Sequence, residues 1–135
     1  MDKVTAGIIE KQGEKDGKIL IARRKSGKCI GAKWEFPGGK LEQGETLEEC
    51  LKRELKEELN FEVEVGKFVA SSKFMCKEKE IELIAFRVAY ISGDIVLTDH
   101  DEVQWVMPSE LKNYEFTAPD VPIVEKILEM SNAQR

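Results

Sequence analysis

Three glutamates on one predicted helix, Glu54, Glu57 and Glu58, are placed in a way that stability alone does not explain. Residues 46–59 carry helical periodicity. At about 100° per residue, Leu47, Leu51, Leu55 and Leu59 form one apolar stripe. Glu49, Lys52, Arg53 and Lys56 fall on the opposite, solvent-facing side. Glu54, Glu57 and Glu58 lie along the flank of the leucine stripe, within an arc of roughly 100°. Glu54 and Glu58 are like charges four residues apart, which costs a helix about 0.2–0.5 kcal/mol. They also sit near the helix C-terminus, where the macrodipole disfavours anions. A helix built for stability would set a lysine four residues after Glu54. Carboxylates gathered this way ask for a cation, and all-oxygen donors select Mg²⁺, Mn²⁺ or Ca²⁺ over zinc. A Mg²⁺ ion held by a few carboxylates and water usually serves phosphates.

The elements that must position this helix are legible on either side of it. Thr46 is its N-cap, and Glu49 three residues later completes a capping box. Upstream, residues 4–10 read as a strand, 12–17 as a polar turn and 18–23 as the antiparallel partner. Residues 24–33 form a basic, glycine-punctuated loop. Trp34-Glu35-Phe36-Pro37-Gly38-Gly39-Lys40 follows, where proline and paired glycines force irregular backbone. Downstream, 61–65 alternates like a strand, 68–75 continues it, 77–80 is a solvated turn and 81–91 is another strand. Residues 102–107 make a short strand around Trp105, 108–111 a helical turn and 122–130 a closing helix. The order β-β-α-β-β-β-α predicts a mixed sheet with helices packed on it.

Composition narrows the function classes. The 135 residues suit one domain, and 41% hydrophobic with 35% charged residues allow a real core under an ionised surface. A net charge of −5 argues against a general nucleic-acid binder. No apolar run approaches the roughly 18 residues that span a bilayer, and residues 1–4 lack a signal-peptide plan. Cys29, Cys50 and Cys76 are odd in number and widely spaced, which predicts reduced thiols in a cytoplasmic protein.

Residues 39–61 read GKLEQGETLEECLKRELKEELNF, which resembles the Nudix hydrolase box, G-x5-E-x7-R-E-U-x-E-E-x-G-U with U bulky and apolar. Gly39, Glu45, Arg53, Glu54, Leu55, Glu57, Glu58 and Phe61 are all in register. Asn60 stands where the box has glycine, at a helix end that wants a left-handed residue, and asparagine is the usual substitute there. The resemblance extends to the 34–40 segment, to the first hairpin (Ala6-Gly7-Ile8-Ile9 and Ile21-Ala22-Arg23-Arg24) and to Ala118-Pro119-Asp120-Val121-Pro122, as in MutT-like members. It implies an α/β/α sandwich around a mixed sheet, formed by a single domain over 1–135.

The resemblance also implies roles. Glu54, Glu57 and Glu58 would hold Mg²⁺, or Mn²⁺ in its place, with the Gly38 carbonyl as a further ligand. Arg53 would orient the glutamates by a bidentate pair, Glu45 included; the alternative is a solvated helix charge. The general base would come from the acidic loop before Trp105, as Asp99 or Glu102. Of two adjacent strand-end arginines only one can face the nucleotide, and Arg23 is the expected one. Trp34 and Phe36 would line the base pocket, with core packing the alternative for Trp34; Lys40 would touch phosphate or simply stand exposed, and Glu35 belongs to the same substrate-binding segment. His100 reads as a loop residue with an indirect role.

Asp120 stands where oxidised-guanine-specific members have asparagine. An ionised aspartate only accepts hydrogen bonds, so it suits an exocyclic amino group such as N4 of cytosine. The alternative is that Asp120 merely caps the last helix. The implied activity is hydrolysis of a nucleoside triphosphate to monophosphate and pyrophosphate, with a pyrimidine such as CTP, dCTP or a 5-substituted dCTP ahead of 8-oxo-dGTP. A catalytically silent nucleotide- or protein-binding module is the rival reading. The expected partner is the nucleotide, with no nucleic-acid polymer and no membrane, for a cytoplasmic monomer or homodimer.

Overall fold

A computed structural model describes residues 2–11, 17–24, 33–98 and 100–133. The polar turn at 12–16, the basic stretch 25–32 and Asp99 lie outside the described residues. Strand β1 (Asp2–Lys11) is the spine. It pairs in parallel with β5 (Lys79–Ser92) along all ten of its residues, from Asp2↔Ile81 to Lys11↔Tyr90. β5 returns antiparallel from the long edge strand β4 (Glu62–Cys76), through a two-residue turn at Lys77 and Glu78 that both take positive φ. On its other side β1 meets β2 (Ile19–Arg24) only at Glu10↔Ile19.

The rest of that edge of β1 is taken by the glycine segment. Gly7 donates its N–H to the Pro37 carbonyl at 2.7 Å, Thr5 to Gly39 at 2.8 Å, and Leu41 donates back to Lys3 at 2.9 Å. β2 continues past this point to pair with the short β3 (Trp34–Glu35) on one side and β6 (His100–Val106) on the other. The sheet therefore parts between β1 and β2, and residues 37–41 run through the gap.

Helix α1 (Leu47–Leu59) covers one face. Thr46 caps it with the full reciprocal box, Glu49 N–H to Thr46 Oγ1 at 3.1 Å and Thr46 N–H to Glu49 Oε1 at 2.9 Å. Asn60 ends it at φ 63°, ψ 31°, as the box departure predicts. Leu51, Leu55 and Leu59 pack on Ile9, Leu20, Phe61, Val63 and Val88. Helix α2 (Val121–Ala133), preceded by 3-10 turns at Pro108–Asn113 and Ala118–Asp120, covers the other face. There Ile123, Val124 and Ile127 join Ala6, Ile8, Ile19, Ile21, Leu83 and Phe116. The result is the α/β/α sandwich, with strict alternation along β1 and β2 dividing its two cores.

Two expectations change. His100 is no loop residue: it opens β6 and is 1% exposed, because its ring nitrogen has a buried partner in Glu35. The cysteines are not alike, since Cys50 is a buried free thiol while Cys76 is disulfide-bonded. Cys29 lies outside the described residues. No helix among the described residues is long and apolar enough to cross a membrane.

Candidate active site

Arg53 is the hub of the α1 side. Its Nε donates to Glu45 Oε2 at 2.6 Å and its Nη2 to Glu45 Oε1 at 2.9 Å, a bidentate clamp. Its Nη1 reaches Glu54 Oε1 at 2.8 Å and Glu57 Oε2 at 3.2 Å, and Nη2 also donates to the Lys40 carbonyl at 3.2 Å. The guanidinium holds the Glu45 carboxyl well below the usual range, at about 2. Glu45 first, and then Glu54, push Arg53 further up in return. The solvated-charge alternative for Arg53 is therefore not what the fold does with it.

The glycines matter by what they lack. A Cβ on Gly39 would stand 2.2 Å from Cδ of Glu54 and 2.3 Å from its Oε2. The bare α-carbon of Gly39 is thus the wall against which that carboxylate rests. A Cβ on Gly38 would stand 2.0 Å from the backbone oxygen of Thr5, so Gly38 is what lets the segment lie against β1. Glu58, one turn beyond Glu54, is 3% exposed. Lys40 is exposed and lies 3.7 Å from Asp2.

Trp34, Arg23, Phe36, Glu102 and Asp120 gather on the α2 face. Trp34, Arg23 and Glu102 form one cross-strand row, Trp34 opposite Arg23 and Arg23 opposite Glu102. Arg23 donates to Asp101 at 2.9 Å and lies 3.5 Å from Glu102, with its guanidinium 6.0 Å from the Trp34 ring centre. Trp34 is half-buried, edge-on to Tyr114 at 5.1 Å. Phe36 is 3% exposed and stacks on Phe116 at 5.3 Å. Its ring is spent in the core, which corrects the expectation that it offers a face to a base. Asp120 is 4% exposed; its Oδ1 accepts from the Phe36 N–H at 3.2 Å and its Oδ2 accepts from the Thr117 hydroxyl. These two bonds tie it to the backbone just after β3 and to Thr117, the residue before the 3-10 turn that leads into helix α2.

Glu102 is also corrected. Val103 packs in the α1 core, so its neighbour Glu102 points to the opposite face from Glu54, Glu57 and Glu58. There it is held by Arg23 and by Gln104, whose Nε2 donates to it at 2.9 Å. Glu35 points the other way from Trp34, and its Oε2 lies 3.0 Å from His100 Nε2. The 34–40 segment thus serves both faces, passing from the Trp34 row through the gap to Gly39 and Lys40.

Residues 1–127 match the NUDIX domain. The chain belongs to the NUDIX family. It is 36% identical over 134 residues to the CTP pyrophosphohydrolase of Escherichia coli K12, covering 99% of this chain and 96% of that protein. It is 31% identical over 127 residues to the 8-oxo-dGTP diphosphatase of Buchnera aphidicola, covering 94% and 93%. The solution structure of the E. coli ORF135 protein, 36% identical, superposes with a TM-score of 0.86 over 99% of this chain and 93% of that one. The chain is thus a Nudix hydrolase in sequence and in fold.

Members of this family generally work with a divalent cation. The NUDIX helix here fits one by the chemistry of its donors: Glu54, Glu57 and Glu58 supply only hard oxygen, and Gly39 leaves room for the Glu54 carboxylate. In the arrangement described, no three His, Cys, Asp or Glu side chains among the described residues converge closely enough to hold an ion. Glu54 and Glu57 are turned to Arg53 instead. Sequence reading missed Thr5, Cys50 and Thr117. A polar residue among the buried positions of β1 was the available signal for Thr5.

Proposed function

We propose that this chain, as one domain over 1–135, hydrolyses a nucleoside triphosphate to the monophosphate and pyrophosphate, with a cytosine nucleotide (CTP, dCTP or a 5-substituted dCTP) as substrate. The observation that carries the choice of base is Asp120. Ionised, its carboxylate accepts and does not donate, so it favours an exocyclic amino group over a carbonyl edge. The full-length likeness to a CTP pyrophosphohydrolase supports the same reading.

Glu54, Glu57 and Glu58, with the Gly38 carbonyl, would hold Mg²⁺, with Mn²⁺ able to replace it. Such an ion neutralises polyphosphate oxygens and lowers the pKa of a bound water. The chain's own residues do the rest. Arg53 fixes the directions of Glu54 and Glu57, and Glu45 fixes Arg53. Lys40 lies next to the glycine segment and meets phosphate. Asp99 takes the proton from the water that attacks the β-phosphorus. Arg23, Trp34, Glu35 and Phe36 shape the nucleoside side, Phe36 through its backbone and its support of Asp120. The enzyme acts on free nucleotides in the cytoplasm, as a monomer or homodimer, without nucleic-acid or membrane partners. In that compartment the Cys76 disulfide would be reduced.

The test is kcat/KM for pyrophosphate release from dCTP, 5-methyl-dCTP and 8-oxo-dGTP with Mg²⁺. A cytosine nucleotide should lead. A tenfold or greater preference for 8-oxo-dGTP, about 1.4 kcal/mol, would transfer the chain to the oxidised-purine diphosphatases. No turnover of any nucleotide would leave the silent binding module.

A further inference from the structure

We infer that Thr5, on the central strand and outside the Nudix box, is a positioning residue that sets the geometry of the Glu54 carboxylate through the carbonyl of Gly39. This rests on the proposal that Glu54 holds the cation. Thr5 is 1% exposed and lies on the α1 face of β1, where its neighbours on that face, Gly7 and Ile9, are apolar. A hydroxyl buried there must find a hydrogen-bond partner to offset its lost hydration.

Its partner is the glycine segment. The Gly39 carbonyl accepts the Thr5 N–H at 2.8 Å and the Thr5 hydroxyl at 3.1 Å. The Cys50 thiol, from α1, also donates to the Gly39 oxygen at 3.5 Å and lies 3.5 Å from the Thr5 hydroxyl oxygen. Thr5, Cys50 and the Gly39 carbonyl thus tie strand, helix and loop at one buried point. Burial pushes the Cys50 thiol up and keeps it a protonated donor.

The consequence reaches the site because Gly39 touches Glu54. The α-carbon of Gly39 has no room for a Cβ against the Glu54 carboxylate. Fastening the Gly39 carbonyl to Thr5 therefore fixes one wall of that carboxylate's position, while Arg53 holds its Oε1 from another side at 2.8 Å. Neither Thr5 nor Cys50 touches the nucleotide or the ion in this scheme.

The experiment compares wild type, Thr5→Val, Thr5→Ser, Cys50→Ala and Glu54→Gln. Mn²⁺ affinity is read without nucleotide by electron paramagnetic resonance, alongside kcat, KM and Tm. Thr5→Val keeps the branched shape and deletes the donor. It should weaken Mn²⁺ binding and lower kcat by about tenfold, the usual size for a residue supporting a metal ligand. The nucleotide KM should stay near wild type. Thr5→Ser should restore both values, and Cys50→Ala should weaken Mn²⁺ binding less than Thr5→Val. If Glu54→Gln loses Mn²⁺ affinity while folded Thr5→Val and Cys50→Ala keep it, the inference falls alone. If Thr5→Val does not fold, unchanged Mn²⁺ affinity in Cys50→Ala overturns it. Equal defects in Thr5→Ser and Thr5→Val also overturn it, because the methyl would then be what matters. If Glu54→Gln keeps full Mn²⁺ affinity, the metal assignment falls and takes the inference with it.

Discussion

Arg53 clamps Glu45 through two nitrogens, Nε at 2.6 Å and Nη2 at 2.9 Å, across the start of the helix that carries both Arg53 and the three site glutamates. The fork geometry explains why lysine is no equivalent there. Arg53→Lys can keep one contact and must drop the rest, so Glu54 and Glu57 lose their shared partner. We expect kcat to fall about 10–100-fold, with far-ultraviolet circular dichroism unchanged. Turnover within twofold of wild type would show that Arg53 does not orient the glutamates.

The same clamp has a pH signature. The carboxyl of Glu45 is held at about 2 when folded, below the usual carboxylate range of the unfolded chain. A depressed acid stabilises above its unfolded value and loses that contribution as pH falls toward the folded one. The stability gap between wild type and Glu45→Gln should therefore be flat from pH 7 to about 5 and shrink steadily from there down to about 2. Urea titrations at a series of pH values measure it. A gap that grows on acidification contradicts the assignment.

The two glycines before the box should fail in different ways. An alanine at Gly38 meets the Thr5 backbone oxygen at 2.0 Å, and backbone cannot step aside. It should destabilise by about 1–3 kcal/mol or more. An alanine at Gly39 meets the end of a side chain, Glu54, which can swing away. That variant should fold near normally yet lose most of its kcat and Mn²⁺ affinity. Paired melting curves and Mn²⁺ titrations distinguish the two, and identical behaviour would contradict this division.

His100 and Glu35 form a buried pair at 3.0 Å, linking the first residue of β6 to β3. His100→Ala takes a partner from a buried acceptor, and should cost about 1–3 kcal/mol in urea unfolding. A change under about 0.5 kcal/mol would mean that the pair contributes nothing to holding the strand ends together.

What could be read in the sequence was local. The Thr46–Glu49 box, the leucine stripe and the left-handed Asn60 depend on spacings of three or four residues and needed no knowledge of the fold. The roles of Glu102, Phe36 and His100 did not follow from local spacing. β6 shifts register between Arg23 and Arg24, where Arg23 pairs with Glu102 and Arg24 with His100, and one extra residue reverses which face a side chain meets. Phe36 and His100 are buried by partners 80 and 65 residues away in sequence, Phe116 and Glu35. Arg53 showed the limit of a helical wheel. The wheel puts it toward solvent, while Glu45, from the turn before the helix, folds over it.

Glu58 carries the metal assignment most simply, since it is buried and Gln is its near-isostere. Glu58→Gln should fold and lose kcat by orders of magnitude, because it removes charge where the cation must sit. Near-normal turnover would refute the role.

The most direct measurement is product analysis in ¹⁸O-labelled water, with dCTP, Mg²⁺ and the wild-type enzyme. Attack at the β-phosphorus predicts dCMP without label and pyrophosphate carrying ¹⁸O. Label in dCMP would place attack at the α-phosphorus, and release of orthophosphate with dCDP, or no products from any nucleoside triphosphate, would contradict the proposed reaction.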